Sequence, residues 1–179
     1  MIYTVTYRGP FGFIKPWTAV RDEKTFSQQF LTPSIIEGMR QKLQVEEILR
    51  HKLSFMKFSK QQEQTRPKHI KEWGENFSIL TRGVMIEPIL ILGFKSEEDA
   101  QRALEQHLCL CRNEDIMLPD GNRGIEEKSE KGFDKIPGFE LQFTDQGEGF
   151  MVGYNRFNDF EPMYGSLEIT EGAIRDDIL

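Results

Sequence analysis

GPFGFIKPWTAVRDEKTFSQQFLTPSIIEGMRQKL, residues 9–43, joins a short alternating segment to a well-signalled helix through a long basic and aromatic loop. Before it, Ile2-Tyr3-Thr4-Val5-Thr6-Tyr7 places β-branched and aromatic residues at period two, the pattern of a half-buried strand. Gly9-Pro10 and Gly12 break that strand. Lys15-Pro16-Trp17 then delays any helix, because the residue before proline avoids the α region. The helix is expected to start at Thr32-Pro33-Ser34: Thr32 can cap free N–H groups, and Pro33 suits a first turn whose N–H would be unbonded anyway. Ile35, Ile36, Met39 and Leu43 recur at helical spacing and form one apolar face. Gly38 inside it costs about 1 kcal/mol relative to alanine, a cost that close packing against sheet backbone would offset.

Outward from this stretch, the 179 residues suffice for one domain with a real core. No run approaches the roughly 18 apolar residues of a membrane helix, and no signal-peptide pattern opens the chain, so no membrane contact is expected. Cys109 and Cys111 are the only cysteines, which excludes a disulfide framework and fits a reducing cytoplasm. The net charge of −6 hides an asymmetry: residues 1–82 carry 14 basic and 8 acidic side chains, residues 83–179 carry 9 and 21. Arg40–Lys71 alone holds nine basic against three acidic residues, together with His51 and His69. Such a division suggests one face for phosphate and another that is solvated or docks a basic partner.

Further along, Val45–Leu49 is expected to prolong or restart the helix, and Leu53–Phe58 to form a second strand. Ser59–Glu75, with Arg66-Pro67-Lys68-His69 at its centre, is too polar to bury and is expected to protrude as a hairpin or loop. Phe77–Leu80 and Val84–Leu92 read as strands. Ile89-Leu90-Ile91-Leu92 is apolar on both faces and therefore central, and Pro88 marks an edge or bulge just before it. Ser96-Glu97-Glu98-Asp99 caps a second helix whose apolar face is Ala100, Ala103, Leu104 and Leu108. Asn113–Pro137 lacks periodicity and reads as loop. Phe139–Phe143, Phe150–Phe157 and Ser166–Thr170 read as strands, with Asp145–Gly149 turning the chain between the first two. The order predicts an α+β fold: a ferredoxin-like antiparallel sheet with helices on one face, a protruding basic hairpin or loop, and extra C-terminal strands from 138 to 179.

Several chemistries are excluded or weakened. There is no Walker loop, dinucleotide fingerprint, HExxH or nucleophile elbow. His107-Leu108-Cys109-Leu110-Cys111 offers three metal ligands, but structural zinc wants four and no second pair occurs at useful spacing, so no metal or other cofactor is expected. Lys68, His69 and His51 are the candidates for acid–base work in metal-independent RNA cleavage. Phe11, Phe13 and Trp17, interleaved with Arg8, Lys15, Arg21 and Lys24, combine stacking faces with phosphate charge, the combination that reads single-stranded RNA. The alternative for Phe11 and Phe13 is a plug in the core beneath the loop.

The loop GPFGFIKPWTAVRDEKT followed by LTPSIIEG resembles the start of the fifth Cas protein family of CRISPR systems, a branch of the RAMP superfamily. LSFMKF, AQRALEQ and the closing FMVGYNRF…MYGSLEITEGAI continue the resemblance. It implies an RRM/RAMP-type ferredoxin-like domain spanning 1–179 that grips the 5′ handle of crRNA in a type I Cascade complex. Segment 59–75 would be its thumb. Implied partners are the CRISPR backbone and large subunits, with target DNA reached only through the complex. Processing members of that family cut precursor crRNA with a tyrosine after the first helix and a lysine–histidine pair before the second. Gln44 and Lys95-Ser96 stand there in this chain. Glutamine has no ionisable proton and serine is a poor base near neutral pH, which favours a non-catalytic subunit. The expected RNA-binding residues are Arg8, Lys15, Trp17, Arg21, Lys24, Thr32, Ser34, Arg40, Lys57, Lys60, Arg66 and Lys68. The alternatives are a metal-independent endoribonuclease processing precursor crRNA and a protein-only interaction module.

Overall fold

The computed structural model describes residues 1–19, 23–64, 68–70, 74–76 and 79–175, the two short segments 68–70 and 74–76 by their backbone. In chain order the elements are β1 (Ile2–Arg8), β2 (Phe11–Gly12), β3 (Lys24–Phe26), α1 (Pro33–Leu43), β4 (Arg50–Ser54), β5 (Lys57–Gln64), β6 (Lys68–Ile70), β7 (Gly74–Asn76), β8 (Ile79–Ile86) and β9 (Ile89–Phe94). These are followed by α2 (Glu97–Leu104), β10 (Leu108–Cys109), β11 (Ile116–Pro119), β12 (Ile125–Lys128), α3 (Glu130–Asp134), β13 (Gly138–Thr144), β14 (Phe150–Asn155) and β15 (Glu161–Thr170).

The large sheet runs β10-β11-β1-β9-β4-β13-β15-β14, with β12 paired to the first half of β1. Its pairings are antiparallel throughout. Taking β11 and β12 together as one interrupted strand, the strands flanking α1 and α2 lie in the ferredoxin order, with β1 and β9 central. Strand β1 alternates as its sequence dictates. Val5 and Tyr7 join Leu90, Leu92 and Phe94 of β9 beneath the helices, whereas Ile2 faces the other way against Ile91 and Phe133. Ile36, Met39 and Leu43 bring α1 onto this core, and Ala100 and Ala103 let α2 approach closely. The fully buried Tyr7 donates its hydroxyl proton to the Ala103 carbonyl near the end of α2, which pins that helix over β1.

Thr32 caps α1 as expected, accepting from the Ile35 N–H at 3.4 Å, and Ser96 caps α2, accepting from the Asp99 N–H at 3.2 Å. Several expectations need correction. The first helix stops at Leu43 because Gln44 turns left-handed, φ 57° and ψ 38°, so Val45–Leu49 is irregular chain and neither prolongs nor restarts it. Leu53–Phe58 is not one strand: β4 ends at Ser54 in the large sheet, and β5 begins at Lys57 in a second, four-stranded sheet with β8, β2 and β3. Phe55 and Met56 make that transfer. Ile79–Ile86 is a single strand, and Pro88 sits in the turn to β9 after Glu87 at φ 47°. Leu108 belongs to β10, beyond the end of α2.

Asn113–Pro137, read as loop, contains β11, β12 and α3; charged Ile125-Glu126-Glu127-Lys128 lacks apolar alternation because it pairs only with β1. The short α3 lies on the opposite face from α1 and α2, which corrects the expectation of helices on one face alone. The hairpin at 145–149 and the C-terminal strands stand as expected, with β15 starting earlier, at Glu161. Pro162 is tolerated there because it pairs only with Tyr154, beyond the β13 ladder. No helix among the described residues is long and apolar enough to cross a membrane.

Candidate nucleic-acid groove

The described parts of the crossover between β1 and α1 form a strap tied down by hydrogen bonds. The Phe13 N–H donates to the fully buried Asp115 carboxylate at 3.2 Å, the Ile14 N–H donates to Ser27 Oγ at 2.8 Å, and the Gln28 N–H returns to the Ile14 carbonyl at 2.8 Å. Phe13, only 3% exposed, has the guanidinium groups of Arg82 and Arg112 at 5.5 and 5.4 Å from its ring centre. It is a core plug. Those two arginines are themselves tied to Glu63, and Arg112 also to Asp115.

Above this strap a groove of about 580 Å³ opens between the crossover, α1, the segment 107–113 and β14. The crossover contributes Lys15 and Trp17, and the helix start contributes Thr32 and Ser34. Lys42, two turns further along α1, adds a second ammonium, and Arg156 at the end of β14 adds a guanidinium. Tyr154 meets Trp17 edge-to-face with ring centres 6.0 Å apart, and the two rings are 54% and 44% exposed. Among the described residues, no Asp or Glu lines the groove. In a chain of net charge −6, a lining whose described residues include three cations and no carboxylate is a local reversal of sign.

Two glycines shape it. Gly153, at φ 124° in an irregular stretch of the β14–β15 ladder, lets the Trp17 side chain rest on the strand: a Cβ there would stand 3.3 Å from Trp17 Cβ. Gly38 leaves room on α1 for Arg156, whose Nη2 would be 3.2 Å from an added Cβ. The approach that the sequence expected against sheet backbone is therefore made by a guanidinium side chain.

The remaining expected residues are dispersed. Lys24 and Lys60 meet on the second sheet, beside Gln62 and Thr81, in a shallow depression. Lys57 is exposed at the start of β5. Arg8 is engaged by Asp120 at 2.7 Å, and Arg40 by Glu37 at 2.8 Å, with a further bond to the Val45 carbonyl. Arg40 thus serves the helix end and lies outside the groove lining. Arg21 and Arg66 lie outside the described residues, as do the side chains of Lys68 and His69.

His51 is 4% exposed, stacked on Phe143 and accepting weakly from the Leu141 N–H at 3.4 Å. Burial pulls its pKa down to about 4, so it is neutral at pH 7 and has no open path to a substrate. The residues that sequence reasoning missed are Lys42, His107, Asn113, Tyr154 and Arg156. Lys42 had a readable signal, since it lies eight residues beyond Ser34 on the same helical face. Arg156 had none, because it reaches α1 only through the C-terminal strand pairing. His107, Cys109 and Cys111 also border the groove, yet no trio of metal-ligating side chains gathers among the described residues.

No protein-family model matches the chain, and no curated protein matches it. Among solved structures, a chain described as "CRISPR RNA-guided surveillance complex" superposes with a TM-score of 0.54. The likeness is one of fold. Sequence identity is 11%, and the alignment covers 95% of this chain and 88% of that one.

Proposed function

We propose that this chain is a non-catalytic RNA-binding subunit of a CRISPR effector complex, and that its groove holds the single-stranded 5′ handle of crRNA. The observation that carries the reading is the groove itself: Lys15, Lys42 and Arg156 beside exposed Trp17 and Tyr154, with no acidic side chain in the lining among the described residues. Cations neutralise phosphates while aromatic faces accept unstacked bases, and a single strand supplies both. The start of α1 opens into the same space, so its free N–H groups add to the positive potential. The fold shared with a chain of a surveillance complex supports this reading, as does the resemblance of the crossover to the fifth Cas protein family.

In that setting the long β5–β8 hairpin, with β6 and β7 beyond it, acts as the thumb beside the RNA. The acidic C-terminal half meets solvent or neighbouring subunits, and target DNA is reached only through the assembled complex. Absence of cleavage is supported by the positions that processing members use: Gln44 ends a helix, and Ser96 spends its hydroxyl on capping α2.

The test is fluorescence anisotropy with a labelled, repeat-derived single-stranded RNA, in EDTA, across a salt series. Binding that weakens steeply with salt and drops at least about tenfold in Lys15→Glu/Arg156→Glu supports the reading. A lack of affinity for that RNA, alone or with neighbouring subunits, sinks it and leaves the protein-only module. Discrete RNA cleavage abolished by His69→Ala would overturn the non-catalytic part.

A further inference from the structure

A second cavity, of about 280 Å³, lies on the opposite face of the large sheet from α1 and α2. Its floor is made by alternate residues of the central strands: Thr4 and Thr6 of β1, Ile89 and Ile91 of β9, and Ser54 of β4. The three hydroxyl residues are each 5% exposed or less, which is unusual for a sheet face with apolar neighbours. Thr4 donates to the Glu126 carbonyl at 3.0 Å.

The rim is cationic. Lys128 and Glu126 neutralise one another at 2.7 Å, which leaves Arg123 and Arg175 in excess. Arg123 reaches Asp120 only at 3.8 Å, and Asp120 is already held by Arg8 at 2.7 Å. Arg175 makes no ion pair among the described residues. One of its Nη atoms donates to the Glu87 carbonyl, and its buried Nε has no hydrogen-bond partner among those residues. A buried guanidinium N–H without an acceptor is costly, and an anionic oxygen would remove that cost.

We propose that this cavity binds a small organic phosphate about the size of a nucleoside monophosphate. Its phosphate would sit on Arg175 and Arg123 with the hydroxyls of Thr6 and Ser54, and its flat body would lie against Ile89, Ile91 and Pro137. The volume, about 280 Å³, lies just below the usual range for small-molecule clefts, roughly 300–1,000 Å³, which excludes larger ligands. The apolar wall accounts for a base or comparable ring, and the two rim arginines for the phosphate. This site stands independently of the RNA groove.

The test is a titration of the isotope-labelled full chain with AMP, and separately with inorganic phosphate, followed by amide chemical shifts. Saturable shifts at Thr4, Thr6, Ser54 and Ile91, weaker with inorganic phosphate than with AMP, are expected. Arg175→Ala should weaken AMP about tenfold or more, and Thr6→Val, which keeps the shape and removes one hydroxyl, several-fold. Affinity of the groove for RNA should stay unchanged in both. Shifts that map instead to Lys15, Lys42 and Arg156 overturn the proposal, as does the absence of any shift at millimolar AMP. So does unchanged AMP affinity in Thr6→Val together with Arg175→Ala. Should Arg175→Ala fail to fold, the wild-type shift map and Thr6→Val decide alone.

Discussion

Glu140 is 2% exposed and accepts two hydrogen bonds from Arg50, at 2.6 and 2.8 Å, with Lys52 Nζ 3.3 Å away and equally buried. Arg50 reaches on to Glu130 and Asp134 of α3, and Lys52 donates to Thr170. Burial on its own would raise the Glu140 carboxyl, but Arg50 and then Lys52 outweigh it and hold the group below the usual carboxylate range. Removing one partner strands a buried charge, so Glu140→Ala should cost about 3–5 kcal/mol in urea unfolding. His51 beside it gives a pH signature. Its pKa in the folded chain, about 4, lies below the ordinary value near 6.5, so its contribution is complete above pH 6.5 and is lost as pH falls from there toward 4. The span corresponds to about 3 kcal/mol, and Glu140 adds a further loss at lower pH. Urea midpoints should therefore fall between pH 7.5 and pH 4.5 in the wild type, and fall less in His51→Gln. An equal fall in both would refute the assignment. None of this was readable locally, because Arg50-His51-Lys52 looks like surface until Glu140 arrives ninety residues later.

At the scale of elements, α1 carries two opposed choices. Gln44 occupies a left-handed position that glycine adopts without strain, so Gln44→Gly should raise stability by up to about 1 kcal/mol, read as a higher thermal midpoint. Gly38→Ala tests the other choice. Alanine favours the helix by about 1 kcal/mol, but its methyl would press on Arg156 Nη2. Thermal stability equal to or above wild type with several-fold weaker RNA binding is expected; unaltered RNA affinity would separate Arg156 from the groove. The caps at Thr32 and Ser96 and the alternation of β1 were legible because each rests on residues within one turn or one strand. The division of Leu53–Phe58 between two sheets was not. Nothing in its own pattern says that Met56 will donate to the Ile86 carbonyl while Ser54 pairs opposite Ile89. The strands within Asn113–Pro137 were hidden for the same reason: β12 is defined by its partner.

For the whole molecule, the described basic residues of the N-terminal half do not map onto one basic surface. Of the expected phosphate-binding residues, Lys15, Trp17, Thr32 and Ser34 gather in the groove, Lys24 and Lys60 share another patch, and Arg8 and Arg40 are spent on carboxylates. Counting charge along the sequence found the sign but not the address, because ion pairs depend on distant partners. RNA titrations should reflect this sorting: Lys15→Ala should reduce the slope of log affinity against log salt by about 0.7, and Arg40→Ala should leave it in place. Equal effects of the two would disperse the proposed site. The position of β1 carries a different consequence. β1 precedes both of its neighbours along the chain, β9 on one side and β11 and β12 on the other, with Ile2 opposite Lys128. During synthesis, at about 5–20 residues per second, it must wait several seconds at least for its second neighbour. Until then a strand whose Val5 and Tyr7 belong in the core stands with an open flank, and assembly of this protein should be sensitive to whatever shields nascent chains over that interval.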